Sequence, residues 1–242
     1  MTRTVYLNGD YLPEAEAKVS VFDRGFLMAD GVYEVTSVLD GKLIDFAGHC
    51  VRLARSLGEL EMNNPHTNAE WLAIHRELVA RNGVTEGMVY LQVTRGNPGD
   101  RDFAYPTAET EPTVVLFTQS KPGLADNPLA KSGMKVISIP DLRWARRDIK
   151  SISLLANVLA KQAAREAGAS VVLFDHTADD IAEADLMRSE GATLGRVIDQ
   201  RLLGGGIVGF VVAGCALRFF VAPPITHYQY QDDEQYPLPC FH

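Results

Sequence analysis

A change in hydrophobic spacing near Phe46 limits the fold of this chain more than any other feature of its sequence. Before that point, the segment GVYEVTSVLDGKLID predicts two β-strands joined at Asp40-Gly41, because this dipeptide is a strong signal for a two-residue hairpin. After it, one face of a predicted helix collects the residues Phe46, His49, Cys50, Leu53, Leu57 and Leu60. The other faces of that helix carry the charged residues Arg52, Arg55 and Glu59. Antiparallel strands followed by an amphipathic helix indicate an α+β fold.

The rest of the first 120 residues continues this alternation. A second helix is predicted from Asn68, a residue type that caps helix N-termini, to Gly83, a type that follows helix C-termini. The runs MVYLQVT and TVVLFTQ are typical of strands, and the polar loop RGNPGDRDFAYP separates them. We therefore predict a small N-terminal α+β domain over residues 1–120, with a mainly antiparallel sheet.

The segment KPGLADNPLAKSG, residues 121–133, is predicted to be a linker because it contains two prolines and two glycines and shows no periodicity. Residues 134–242 are assigned to a second domain. It opens with a strand-like run and a helix that Ser153 is expected to cap. The predicted apolar stripe of this helix consists of Leu155, Val158, Leu159, Ala163 and Ala167. After about residue 170 the signals weaken, and we predict that the C-terminus is disordered.

Composition limits the partners and the compartment. The formal net charge of −8 argues against a general nucleic-acid binder, which needs a basic face. Three cysteines without metal spacing favour a reducing, cytoplasmic setting. The apolar run from Leu202 to Leu217 is shorter than the roughly 20 residues of a spanning helix. The chain is therefore expected to be a cytoplasmic protein without nucleic-acid or membrane partners.

Lys150 lies where the basic run RWARRDIK meets a largely apolar one. Removal from water disfavours the ammonium form, so a partly buried lysine has a lowered pKa and a larger nucleophilic fraction. Arg146 and Arg147 act in the same direction if they face it. Such an amine can form a Schiff base with an aldehyde. The alternative is an ordinary solvated lysine near a helix N-terminus, and position alone leaves both interpretations open.

Four segments together carry a resemblance to a known family. They are YLNGDYLPEAEAKVSVFDRGFLMADGVYEV, HCVRLARS, VYLQVTRG and RRDIKSISLLANVLAKQAAREAGA. In this order they resemble the class IV aminotransferases, fold-type IV enzymes that use pyridoxal 5′-phosphate, and most closely those acting on D-amino acids. The resemblance covers about residues 1–170. It implies a two-domain fold: a small N-terminal α/β domain and a larger β-rich domain, here incomplete or altered.

The resemblance also implies roles for individual residues. Lys150 matches the lysine that binds pyridoxal 5′-phosphate and then moves a proton on the substrate. Arg52 matches an arginine that binds the cofactor phosphate, which suits a planar guanidinium. Tyr33 and Arg101 match residues that bind the substrate. An amino acid and a 2-oxo acid are the implied substrates. A homodimer is implied as well, in which the small domain of one subunit closes the site of the other.

The sequence departs from the family pattern at two places. Phe103 stands where D-amino-acid aminotransferases commonly have a histidine that helps to bind the substrate carboxylate. Glu190 is a displaced candidate for the glutamate that pairs with the pyridine nitrogen, and a solvated carboxylate is the alternative for it. The likeness ends abruptly near residue 170. A replaced C-terminal third explains such an end better than gradual divergence does.

Three functions follow from these features. The first is transamination of D-amino acids, such as D-alanine, with a 2-oxo acid acceptor. The second is a catalytically inactive aminotransferase-like protein with an altered C-terminal third. The third is a relative with the same cofactor and another outcome, a branched-chain aminotransferase or an aminodeoxychorismate lyase.

Overall fold

The computed structural model describes residues 2–175, 208–213 and 216–221. The elements of its first part, in chain order, are β1 Thr4–Leu7, β2 Asp10–Pro13, α1 Arg24–Met28, β3 Gly31–Leu39, β4 Lys42–Leu43, α2 Phe46–Glu59, α3 Asn68–Arg81, β5 Gly87–Thr94 and β6 Thr113–Ser120. They are followed by α4 Leu129–Ser132, β7 Val136–Pro140, α5 Leu155–Glu166, β8 Val171–Asp175, β9 Val208–Ala213 and β10 Ala216–Val221. This mixture of helices and strands confirms the α+β class.

Strands β1 to β6 form one antiparallel sheet in the order β2-β1-β6-β5-β3-β4. The predicted hairpin joins β3 to β4, with Asp40 at φ 50° and Gly41 at φ 68°. Positive φ at both central residues is the geometry that a two-residue hairpin of this type requires, and it explains the Asp-Gly pair.

One face of the sheet packs against α2 and α3. Strand alternation brings Val32, Leu91 and Leu116 to this face, where each is at most 1% exposed. The helices bury the residues Cys50, Leu53, Leu57, Trp71, Ile74 and Leu78 against them. The apolar face predicted for α2 is therefore the one that the structure buries. A capping box at Thr67, with Glu70 as its second member, begins α3 one residue before the predicted cap.

The opposite face of the sheet carries a row of stacked aromatic rings. Tyr33 on β3 stacks on Tyr90 of β5 with ring centroids 5.7 Å apart, and Tyr90 stacks on Phe117 of β6 at 4.8 Å. Tyr33 thus lies on the face opposite to Val32 and Glu34, as strand alternation predicts.

Strands β7 and β8 form a separate parallel pair, and α5 packs on it. The buried residues of α5 are Ala160 and Ala164, whereas Leu155, Val158 and Leu159 of the predicted stripe are exposed. Leu154 is the N-cap and makes no side-chain capping bond, so the expected cap at Ser153 was wrong. Strands β9 and β10 pair antiparallel.

The segment between β7 and α5 reaches the six-stranded sheet. The backbone N–H of Tyr33 donates to the carbonyl of Lys150 at 3.0 Å, and that of Ile152 donates to Gly31 at 3.1 Å. Ser151 bridges to Val32. The lysine segment, which the predicted boundary assigns to the second domain, therefore pairs with β3 of the first. The domain boundaries themselves remain a prediction. Within the described residues, no helix is long and apolar enough to cross a membrane.

Candidate active site

The backbone around Lys150 is held from both sides. Its N–H donates to the Ser56 hydroxyl of α2 at 3.2 Å, and its carbonyl accepts from Tyr33 of β3. The flanking residues Ile149 and Ser151 are 4% and 7% exposed. Lys150 itself is half-buried. Its amine is therefore carried by an anchored piece of backbone rather than by a loop free in solvent.

The Nζ atom of Lys150 lies 3.9 Å from the centroid of the Tyr33 ring. An ammonium above an aromatic ring is attracted by the negative face of that ring. Tyr33 is only 6% exposed and is braced by its stack on Tyr90, so its ring is a fixed surface for the amine. The structure thus brings together two of the residues singled out from the sequence.

Both residues line a small cleft of about 130 Å³. Its wall also carries Arg55, Arg143, Trp144 and Arg147. Sites for small molecules commonly measure about 300 Å³ or more, so the described residues enclose only a small space around Lys150.

The arginines of the cleft are paired with acids. Arg143 and Arg147 lie 2.8 and 3.5 Å from Asp141, and Arg55 lies 2.9 Å from Asp148. Burial would raise the pKa of Asp141, but hydrogen bonds from Arg143 outweigh this and hold the pKa below its ordinary value. The arginines outnumber these acids, so the cleft favours an anionic ligand.

Arg52 forms a largely buried ion pair with Glu34. Its Nε and Nη2 atoms donate to the two carboxylate oxygens of Glu34 at 2.6 and 2.5 Å. His49 lies 2.8 Å from the same carboxylate, which is only 2% exposed. Burial would raise the pKa of Glu34, yet the hydrogen bonds from Arg52 and His49 lower it, and the charge of Lys150 adds to that effect. Glu34 is thus within electrostatic reach of Lys150, whereas Arg52 is not among the residues that line the cleft.

The other predicted residues lie elsewhere. Arg101 is exposed on the loop between β5 and β6, with its guanidinium carbon 4.5 Å from the centroid of the Phe103 ring. It is not among the residues that line the cleft. Glu190 lies outside the described residues. Among the described residues, the cleft is therefore formed without Arg101.

Glu34 is the residue that sequence reasoning missed. A carboxylate in a strand, flanked by Val32 and Thr36 on a face that becomes fully buried, must find a cation. That requirement was a usable signal, because Arg52 and His49 both come from the helix predicted to cover this face. Ser56 gave no such signal, since a serine on a helix is common and its contact with Lys150 depends on the tertiary fold.

No group of three or more His, Cys, Asp or Glu that could hold a metal occurs among the described residues. An amine above an aromatic ring, next to a cationic cleft, is an arrangement suited to chemistry on an anionic carbonyl compound.

Comparison with known proteins identifies a family and several relatives that the chain resembles. The sequence model for "Amino-transferase class IV" matches residues 31–187. D-alanine aminotransferase of Staphylococcus aureus (strain MSSA476) is 37% identical over 179 residues, covering 74% of this chain and 62% of that protein. D-alanine aminotransferase of Listeria monocytogenes serotype 4b (strain F2365) is 31% identical over 205 residues, covering 83% and 70%. The chain thus spans somewhat less than two thirds of its first relative's length.

Solved structures show the same fold at lower identity. A branched-chain aminotransferase from the thermophilic archaeon Thermoproteus uzoniensis, with norvaline, superposes with a TM-score of 0.58 at 19% identity, covering 73% of this chain and 61% of that one. A hypothetical aminotransferase from Mycobacterium tuberculosis, in a PLP-bound form, gives 0.57 at 21% identity, covering 72% and 62%. These likenesses establish the fold. Glu190 lies beyond the part of the chain that the family model matches.

Proposed function

The chain belongs to the class IV aminotransferases, and from that premise we propose that it transfers the amino group of D-amino acids, such as D-alanine, to a 2-oxo acid, with pyridoxal 5′-phosphate as cofactor. The observation that carries this proposal is the half-buried amine of Lys150, set 3.9 Å above the Tyr33 ring at the wall of a cationic cleft. The D-alanine aminotransferases that resemble the chain support the choice of substrate.

The chemical groups of Lys150 and Arg52 suit this cofactor. When bound, pyridoxal 5′-phosphate supplies an aldehyde that reacts with amines and a ring that withdraws electrons from the substrate α-carbon. Lys150 is the amine that would hold the aldehyde, and Arg52 the residue that would hold the phosphate. A guanidinium has five N–H donors, so the pair with Glu34 leaves Arg52 further donors for a phosphate. Glu34 then serves to orient that guanidinium.

Lys150 is also the group that would move the proton at the substrate α-carbon. That role needs an amine that stays in one place while it gains and loses a proton. The backbone bonds to Ser56 and Tyr33 fix the segment, and the Tyr33 ring attracts the amine when it is protonated. Tyr33 and Arg101 are proposed to bind the substrate, with Arg101 on its carboxylate.

We further propose that the protein is cytoplasmic and acts as a homodimer. Arg101 is not a lining residue of the Lys150 cleft in one chain, and a second subunit whose small domain closes the site could supply it. Size-exclusion chromatography at micromolar concentration should show a dimer, and a monomer only would contradict this part of the proposal.

The test of the function is chemical labelling together with turnover. Purified protein supplied with pyridoxal 5′-phosphate should absorb visible light, and reduction with borohydride should leave the cofactor attached to Lys150 in a peptide mass spectrum. D-alanine and 2-oxoglutarate should give pyruvate and glutamate, and Lys150→Ala should abolish both label and turnover. Absence of a label at Lys150 in the unmodified protein would refute the proposal.

An inactive relative is the second candidate, and Phe103 in place of a histidine is the observation that favours it. In that case pyridoxal 5′-phosphate would bind weakly, Lys150→Ala would leave its affinity unchanged, and no D-amino acid would donate an amino group. A branched-chain aminotransferase would instead transaminate L-leucine, and a lyase would release pyruvate from aminodeoxychorismate without an amino acceptor.

A further inference from the structure

The loop that carries Arg101 is attached to the core by a buried arginine. Arg24 is 3% exposed, although it opens a helix of only five residues. Its Nη1 atom donates to the carbonyl of Asp102 at 2.6 Å and to that of Ala104 at 3.1 Å. These two carbonyls flank Phe103, and the first belongs to the residue after Arg101. Arg24 therefore holds the backbone of the loop next to Arg101.

A single carboxylate fixes Arg24. The Oδ2 atom of Asp30 accepts from Arg24 Nε at 2.7 Å and from Arg95 Nε at 2.8 Å. Arg95 also donates to the carbonyl of Leu60 at the end of α2, at 2.7 Å. The cluster of Arg24, Asp30 and Arg95 is thus tied to α2, which carries Arg52, as well as to the loop.

The second arginine of the cluster contacts the middle of the loop. The guanidinium carbon of Arg95 lies 3.8 Å from the centroid of the Tyr105 ring. Arg24 thus binds the backbone at residues 102 and 104, and Arg95 binds the side chain at residue 105. The loop is therefore contacted at residues 102, 104 and 105, directly after Arg101.

Burying the charged side chains of this cluster removes them from water, which is unfavourable for stability. Replacing a buried ion cluster by well-packed apolar side chains is often neutral or stabilising, so stability alone does not require it. Burial would raise the pKa of Asp30, but the hydrogen bonds from Arg95 and Arg24 outweigh this and lower it, so the carboxylate stays charged. What the cluster supplies is a fixed direction for five N–H donors on each guanidinium.

We propose that Arg24, Asp30 and Arg95 are positioning residues that hold the Arg101 loop in the shape needed to bind the substrate carboxylate. This inference rests on the proposed function, because it takes the role of Arg101 from there. The cluster does not touch the substrate. It acts by limiting the conformations that the loop can adopt before substrate arrives.

Limited digestion with trypsin tests the loop without any need for activity. Trypsin cleaves after arginine, and cleavage of a native loop follows the population of its open form. Arg24→Gln should speed cleavage after Arg101 by about tenfold. The matched control is Arg3→Gln, because Arg3 also pairs with a carboxylate and donates to a backbone carbonyl, at Glu14 and Thr118, away from the loop. Equal cleavage rates in Arg24→Gln and the unmodified protein would overturn the proposal.

Tyr105→Leu is a second variant for the case in which Arg24→Gln does not fold. It removes the ring that Arg95 holds and leaves the ion cluster intact, and Tyr105 is 56% exposed, so the fold should tolerate the change. This variant should also speed cleavage after Arg101. An unchanged rate would show that the contact between Arg95 and Tyr105 does not restrain the loop.

Kinetics then separates positioning from a general loss of stability. Arg24→Gln should raise KM for D-alanine by about tenfold with kcat within about twofold, and Arg24→Lys should recover part of that loss. A lower kcat with unchanged KM would mean fewer folded molecules and would contradict a positioning role. If the unmodified protein does not transaminate at all, the proposed function fails, and the digestion still decides whether Arg24 fixes the loop.

Discussion

Glu34 shows how one buried charge organises several others. It lies on β3 at 2% exposure and accepts hydrogen bonds from Arg52 and His49, both on α2. Its neighbour on β5, Leu91, is apolar, so its hydrogen-bond donors come from α2, and the charge of Lys150 adds to their effect. The position of Arg52 therefore depends on a residue that does not itself face the cleft.

Glu34→Gln is expected to destabilise the protein by about 2–4 kcal/mol, because it leaves the largely buried Arg52 without its counter-charge. Urea denaturation followed by circular dichroism would measure this. Glu77→Gln is the control, because Glu77 forms an exposed ion pair with Arg81 at 2.7 Å on α3. That change should cost less than about 0.5 kcal/mol. Equal losses in the two variants would show that the Glu34 pair contributes no more than a surface pair.

His75 is expected to make the free energy of unfolding depend on pH in mild acid. Its side chain is 2% exposed on α3, and burial lowers its pKa from 6.5 to about 4, although a hydrogen bond to the Trp71 carbonyl partly offsets this. The unfolded chain therefore takes up a proton at higher pH than the folded chain. Stability should be complete above about pH 6.5 and should fall by up to about 3 kcal/mol as pH drops to 4.

The measurement for His75 is the free energy of unfolding at several pH values between 4 and 7. His75→Gln is the comparison, since it keeps a donor for the Trp71 carbonyl and does not titrate. Its stability should change less with pH over this window. The same pH dependence in both proteins would assign the effect to other groups.

At the scale of elements, periodicity predicted helices well and their buried faces less well. The stripe on α2 was correct because the six-stranded sheet covers it, and apolar residues of that stripe reach the core. On α5 the structure buries Ala160 and Ala164 instead, since small side chains allow the helix to approach β7 and β8 closely. A repeat of apolar residues locates a face but does not say what lies against it.

The two helix starts give a paired prediction. Thr67→Ala should destabilise the protein by about 1 kcal/mol, because it removes the capping box of α3 with Glu70. Ser153→Ala should change stability by less than about 0.5 kcal/mol, because α5 begins without a side-chain cap. Thermal unfolding of both variants would check this. A loss for Ser153→Ala as large as that for Thr67→Ala would contradict the helix start seen here.

At the scale of the whole molecule, the parts of the site that sequence reasoning missed are those made by distant segments. The position of Lys150 between a basic and an apolar run left two interpretations open, and the resemblance to the family singled it out. The contact of Arg24 with the loop joins residues 78 positions apart, and the bond from Lys150 to Ser56 joins residues 94 apart. No local pattern encodes such contacts, because they exist only after the sheet has brought these segments together.

The proposed dimer predicts that two inactive variants can regain activity when they pair. If Arg101 of one subunit closes the cleft of the other, Lys150→Ala and Arg101→Gln should each lose activity alone, yet a dimer containing one of each should regain one complete site. Random pairing of the two variants should then give about a quarter of the unmodified activity, because half of the dimers are mixed and each has one working site of two. Co-expression with two affinity tags, followed by an assay with D-alanine, would measure it. Mixed dimers without activity would place Arg101 in the site of its own subunit, because each subunit would then carry one defect in its own site.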